Sequence, residues 1–157
     1  MVDIQLDLPS LSKLLGIRLA DGTASDSFAL VSRPLPLPAN GTASDSLQVS
    51  TQFGFLCTHK MAAVTDDVTG DAVPLDEALL TVSESVAQAA SGWLSRPAPL
   101  SSVYGTGQRP YRLGVPGVLT PGATLSVDVQ NLTSDPVTVR LVFAGFRVYG
   151  FDARGMR

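Results

Sequence analysis

The sequence is poor in the groups that usually do chemistry. It holds one Cys and one His in 157 residues. A single Cys excludes an internal disulfide framework, and together with a single His it leaves little to hold zinc. Charged residues make up 16% of the chain, well under the typical ~25%. That scarcity argues against intrinsic disorder, which needs high net charge and few large apolar residues. No apolar run approaches the ~20 residues of a transmembrane helix. Basic residues are missing from Met1–Leu8, where Asp3 and Asp7 stand instead, so no export signal is expected. The expectation is a protein that stays where it is made, with Cys57 free in a reducing compartment. The triplets Asn40-Gly41-Thr42 and Asn131-Leu132-Thr133 then read as turns rather than as glycosylation sites.

What is present is apolar and rich in turns. Hydrophobic residues reach 45%, with fourteen Gly and eleven Pro. A chain of this length can bury roughly 70% of its unfolded surface around one core. Net charge is −3 but unevenly placed: residues 1–95 carry four basic and eleven acidic side chains, residues 96–157 seven Arg and three Asp. The arginines (Arg96, Arg109, Arg112, Arg140, Arg147, Arg154, Arg157) are scattered and lack the interleaved aromatics of a nucleic-acid platform. Neither nucleic acid nor a membrane is an expected partner. Oppositely charged halves suit association with copies of the chain or with a charged scaffold.

The organisation reads as an arm, residues 1–20, followed by a single domain, residues 21–157. In the arm, Ile4, Leu6 and Leu8 alternate with polar residues before Pro9. Ser10 can cap a short helix whose Leu11, Leu14 and Leu15 recur at helical spacing, with Gly16 ending it. So many aliphatic residues call for a partner surface. Gly22-Thr-Ala-Ser-Asp-Ser27 then recurs unchanged at Gly41–Ser46, and reads as two equivalent turns, each feeding a half-buried strand. Between the copies, Arg33-Pro-Leu-Pro-Leu-Pro38 enforces a stiff extended backbone, as an edge strand or connector. Strands are expected at 53–64, at 123–130 and at 137–149, with a turn at 66–71; residues 76–90 are ambiguous, with Leu80-Thr-Val82-Ser alternating like a strand and a loop then running to Gly92. The proline- and glycine-rich stretch 94–122 reads as long ordered loops. Short strands at this density indicate an antiparallel β-sandwich.

Candidate chemistry is thin. Cys57 and His59 stand two apart on a strand, a spacing that places both side chains on one face. A nucleophilic Cys also needs a base and an oxyanion site, and an ordinary structural pair is the better account. Asp66, Asp67 and Asp71 follow no EF-hand spacing and read as an acidic hairpin turn. Asp26 and Asp45, inside the repeat, suit side-chain to backbone hydrogen bonds. Gly105-Thr-Gly107-Gln lacks the Lys and the helix of a phosphate loop. Trp93, Tyr104 and Tyr111 either stack on a ligand from exposed loops or pack into a core or interface. No catalytic residue, metal or cofactor is expected, and the chain reads as a non-enzyme.

From Tyr111 the pattern runs Leu113-Gly-Val-Pro116, Leu119-Thr-Pro-Gly122, Leu125-Ser-Val-Asp-Val129-Gln-Asn131-Leu, Val137-Thr-Val-Arg-Leu-Val-Phe143 and Gly145-Phe-Arg-Val148. It resembles the last two strands of jelly-roll virion proteins of tailed bacteriophages, the group that includes head decoration (cement) proteins. Phe53–Thr65 resembles an early strand of the same sandwiches. The resemblance implies an all-β, antiparallel jelly-roll β-sandwich with an N-terminal arm containing a short helix. It implies a structural protein that cements the capsid exterior, made in the host bacterial cytoplasm. Its partners would be the major capsid protein and itself, as a homodimer or homotrimer. Ile4, Leu6, Leu8, Leu11, Leu14 and Leu15 would then form the capsid or subunit contact. The alternative is a spike or tail-associated module that recognises a host surface glycan or protein through Trp93, Tyr104 and Tyr111.

Overall fold

A computed structural model describes residues 25–87, 93–94 and 96–149. The arm residues Ile4, Leu6, Leu8, Leu11, Leu14 and Leu15, with the short helix read there, lie outside the described residues. What is described is an all-β fold of two antiparallel sheets facing each other.

In the first sheet, β1 (Ser25–Val31) and β2 (Leu35–Leu37) run in line along one side of β10 (Val137–Val148). On its other side β10 pairs with β4 (Gly54–Asp66). The outer edge of β4 is covered at one end by β8 (Tyr111–Leu119) and at the other by β5 (Ala72–Val73). The second sheet runs β3 (Thr42–Gln48), β9 (Thr124–Asn131), β6 (Leu80–Val86), β7 (Ala98–Pro99). A single helical turn, α1 (Leu100–Val103), follows β7.

Alternation builds the core. Leu125, Val127 and Val129 of β9 are buried, as are Val137, Val139, Leu141 and Phe143 of β10, with smaller or polar residues between them. Leu80 and Val82 of β6 and Leu47 of β3 close the layer. Each such side chain contributes roughly 1.5–3 kcal/mol on full burial. Among the described residues no helix is long and apolar enough to cross a membrane.

The edge formed by β1 and β2 bends where the prolines begin. At the bend Ser32 is buried, its N–H donates to Leu141 O at 2.9 Å, and its hydroxyl accepts from Leu141 N–H at 2.9 Å. A side chain thus completes a ladder that the backbone leaves open. In β2 the alternation inverts the usual danger of proline: Leu35 and Leu37 are buried while Pro34, Pro36 and Pro38 face outward. On an edge strand the missing N–H of Pro36 breaks no ladder bond.

Two expectations are corrected. The repeated Gly-Thr-Ala-Ser-Asp-Ser segment does not read out as two turns: Thr42–Ser46 of the second copy lies within β3, and Ser25–Ser27, the described part of the first copy, begins β1. Ser25–Ser27 and Thr42–Ser46 sit in different sheets, and the turn before the second copy is made by Pro38–Gly41, with Asn40 at a φ of 52° and Gly41 N–H donating to Pro38 O. Residues 94–122 are not all loop, because they contain the nine-residue strand β8. Its register against β4 jumps from Cys57↔Gly117 to His59↔Arg112, so residues 113–116 bulge away from the partner. That detour, with Gly114 and Pro116 in it, hides the strand period.

Candidate functional site

The most unusual group of side chains in the fold is a charged cluster inside the sandwich, and a backbone irregularity creates it. Up to Cys57, the inward positions of β4 are odd-numbered, with Phe55 and Cys57 fully buried. Beyond it they are even-numbered: Lys60, Ala62 and Val64 are buried. A register shift against β10 marks the change of phase, with Cys57 opposite Gly145 and His59 opposite Ala144, and Thr58 as the extra residue. The Thr58 hydroxyl donates to Ala144 O at 3.3 Å. Such a bulge re-aims every side chain beyond it, and here it turns a lysine into the core.

Lys60 then meets the opposite sheet. Its Nζ lies 2.5 Å from Oε2 of Glu84 on β6, and the side chains are 1% and 0% exposed. Tyr104, in the segment after α1, donates from its hydroxyl to Glu84 Oε1 at 2.6 Å. The Leu94 N–H donates to Glu84 Oε2 at 3.3 Å. Trp93 and Tyr104 present their rings to the ammonium at 5.1 and 5.8 Å, and both rings pack against Phe143. Gly117 makes room for Trp93, since a β-carbon there would stand 2.8 Å from the indole. The indole N–H donates to Val118 O at 3.2 Å. Burial, with the negative charge and hydrogen bonding of Glu84, holds the Tyr104 hydroxyl well above its usual range.

A second ion pair repeats the logic at the sandwich edge. Asp45 points inward from β3 and accepts from the Arg33 N–H at 2.9 Å and from its guanidinium at 2.8 and 3.1 Å. Burial alone would raise the Asp45 carboxyl, but the Arg33 bonds and the Ser46 N–H hold it below its ordinary value. In both pairs the cation comes from the first sheet or its edge and the carboxylate from the second.

The residues singled out from sequence are placed as follows. Cys57 and His59 do not form a same-face pair, because the bulge between them breaks the two-residue period. Cys57 is buried in the core and its thiol donates to the His59 carbonyl at 3.4 Å, while the imidazole Nδ1 lies 2.9 Å from the Thr58 hydroxyl. Burial pushes the thiol up to about 12, with Lys60 opposing and Glu84 adding to the shift. Asp66 accepts from the Val68 and Thr69 N–H groups of the hairpin turn, which lower its carboxyl, and Asp67 accepts from the Thr138 hydroxyl. Among the described residues no three His, Cys, Asp or Glu side chains gather as a metal site. Tyr104 is 2% exposed and Trp93 is half-buried, so of the two readings open for them these two side chains follow core packing. Tyr111 is 40% exposed on β8.

Lys60 and Glu84 were missed, although a signal existed for each. Glu84 occupies the inward register of Leu80, Val82 and Val86. Lys60 shares the phase of Ala62 and Val64, against that of Phe55 and Cys57. The change of phase inside one strand was the sign of a bulge.

The chain matches no protein-family model, no curated protein and no solved structure.

Proposed function

We propose that this chain is a structural virion protein, a jelly-roll sandwich that decorates and cements the capsid of a tailed bacteriophage as a homo-oligomer. The observation that carries the reading is the order of the strands. One sheet runs β1/β2, β10, β4, β8 and the other β3, β9, β6, β7. The chain changes sheets between β2 and β3, β3 and β4, β5 and β6, β7 and β8, β8 and β9, and β9 and β10. That interleaving is what a double Greek key requires, and jelly rolls of this kind build many capsid proteins. The resemblance of residues 111–148 to phage virion proteins supports the setting, since fold alone does not name a function. On this reading the protein acts through complementary surface rather than through catalysis or a cofactor. The aliphatic residues of the arm would make the contact to the major capsid protein or to a neighbouring subunit.

The test adds the purified full-length chain to capsids of the phage that encodes it, after those capsids have been stripped of the protein. Saturable co-sedimentation and a higher capsid melting temperature are expected. Deleting residues 1–20 should abolish attachment while the sandwich melts unchanged. Failure of the full chain to attach at any concentration would end the reading.

One observation favours the recognition module as a second reading. Tyr111 and Val115, 40% and 47% exposed, lie on the bulged strand β8. Binding to a glycan array that is lost in Tyr111→Ala, together with a monomeric mass in solution, would move the reading to a spike or tail module.

A further inference from the structure

We infer that Lys60 and Glu84 are a self-modification site, where the two side chains condense to an amide that links the two sheets covalently. The inference stands on the core cluster alone and is independent of the capsid reading.

A core made mainly of Leu, Val and Phe has no evident need for two charges. Replacing a buried ion pair by apolar side chains is often neutral or stabilising, because the attraction rarely exceeds the desolvation cost by much. What this pair does have is reaction geometry. Near-attack arrangements hold reacting atoms roughly 3–3.5 Å apart. Lys60 Nζ already touches Glu84 Oε2 at 2.5 Å, and the carboxyl carbon lies one bond beyond that oxygen. The partners come from opposite sheets and each side chain is at most 1% exposed, so competing water is excluded and the encounter is effectively unimolecular.

The remaining contacts supply what the step needs. In the dry site a proton can pass from Nζ to Oε2 along the existing contact, giving a neutral amine and a neutral acid in place of two buried charges. The amine lone pair then attacks Cδ, and negative charge develops on Oε1. The Tyr104 hydroxyl already donates to that oxygen at 2.6 Å, which is where a preorganised donor stabilises a tetrahedral intermediate. Collapse breaks the Cδ–Oε2 bond, and Oε2 leaves as water carrying one proton already received and a second one from Nζ. One C–N bond forms, one C–O bond breaks, one water leaves, and both formal charges disappear. No oxidant, reductant or co-reactant is required.

The experiment is mass spectrometry of the purified, full-length, denatured protein, with allowance for removal of Met1. The expected mass is one water below that of the sequence. Trypsin provides an internal check: Arg33, Arg96 and Arg109 all precede proline, so an unlinked chain yields residues 19–60 and 61–112. A linked Lys60 resists cleavage, and residues 19–112 should appear as one peptide lighter by one water. In Lys60→Met the corresponding peptide should carry its full mass, and in Tyr104→Phe an unlinked fraction should accumulate. A full sequence mass with two separate peptides overturns the inference. So does a water loss that persists in Lys60→Met. Complete linkage in Tyr104→Phe overturns the part assigned to Tyr104.

Discussion

Gly145 and Leu56 approach so closely across the β10–β4 ladder that a β-carbon on Gly145 would stand 1.8 Å from the Leu56 carbonyl oxygen. The contact lies at the bulge, where β10 steps from Ala144 to Gly145. A residue with no side chain is therefore one condition for the shift of phase that turns Lys60 into the core.

Gly145→Ala should destabilise the fold by roughly 1–3 kcal/mol or more, because the obstruction is backbone and cannot rotate away. In a domain of this size each kcal/mol lowers the melting temperature by about 2–4 °C. Calorimetry of the purified variant checks this, and an unchanged melting temperature would show that the ladder yields at no cost.

Measured against the unlinked chain, Lys60→Met should cost about 3–5 kcal/mol, since it leaves the Glu84 carboxylate buried without its counter-charge. Glu84→Leu should cost a similar amount by stranding the ammonium. The double variant should lose clearly less than the two single losses together, because no charge is then left unpaired. Urea denaturation of the four proteins measures the coupling. Strictly additive losses would mean that the two groups do not interact.

The buried thiol gives a dependence on alkaline pH. Cys57 stands at about 12 against an ordinary 9.0, so its folded value lies above its unfolded one. For an acid that is neutral when protonated, the associated stability is complete below pH 9 and is lost as pH rises towards 12. Tyr104, raised for the same reason, adds to the loss at the upper end of that window. The urea midpoint should fall from about pH 9 upwards, less steeply in Cys57→Ala. Iodoacetamide at neutral pH should label Cys57 only after unfolding; rapid labelling of the folded protein would contradict the burial.

Asp45 gives the opposite dependence. Its carboxyl is held below the ordinary 3.8, so its contribution is complete above the usual carboxylate range and is lost as pH falls through the depressed value. Arg33 is largely exposed, at 82%, so screening limits the pair and Asp45→Asn should cost about 1 kcal/mol near neutral pH. The difference between Asp45→Asn and the unaltered chain should vanish in strong acid. A gap that persists there would mean that shape, not charge, is what matters.

Several strands were legible because their periods are undisturbed. In β9, Leu125, Val127 and Val129 alternate with Ser126, Asp128 and Gln130, and β10 does the same from Val137 to Phe143; all seven apolar side chains are buried. Where a bulge interrupts the alternation the reading failed, at Cys57/His59 on β4 and along the whole of β8. The repeated hexapeptide misled for a different reason. Its Gly, Ser and Asp favour turns locally, yet pairing with β9 holds Thr42–Ser46 as strand, and Asp45 accepts hydrogen bonds from Arg33, in the bend between β1 and β2.

By itself the sequence determined an all-β chain with one apolar core, because two-residue alternation and frequent turn residues act locally and leave no room for long helices. Only the tertiary structure decided which strands are neighbours and which buried charges meet. Those outcomes depend on contacts between segments far apart in the chain: Gly145 against Leu56 sets the bulge, the bulge sets the phase of Lys60, and the facing of two sheets brings Lys60 to Glu84. No window of sequence contains all four residues, so no local pattern could announce the pair.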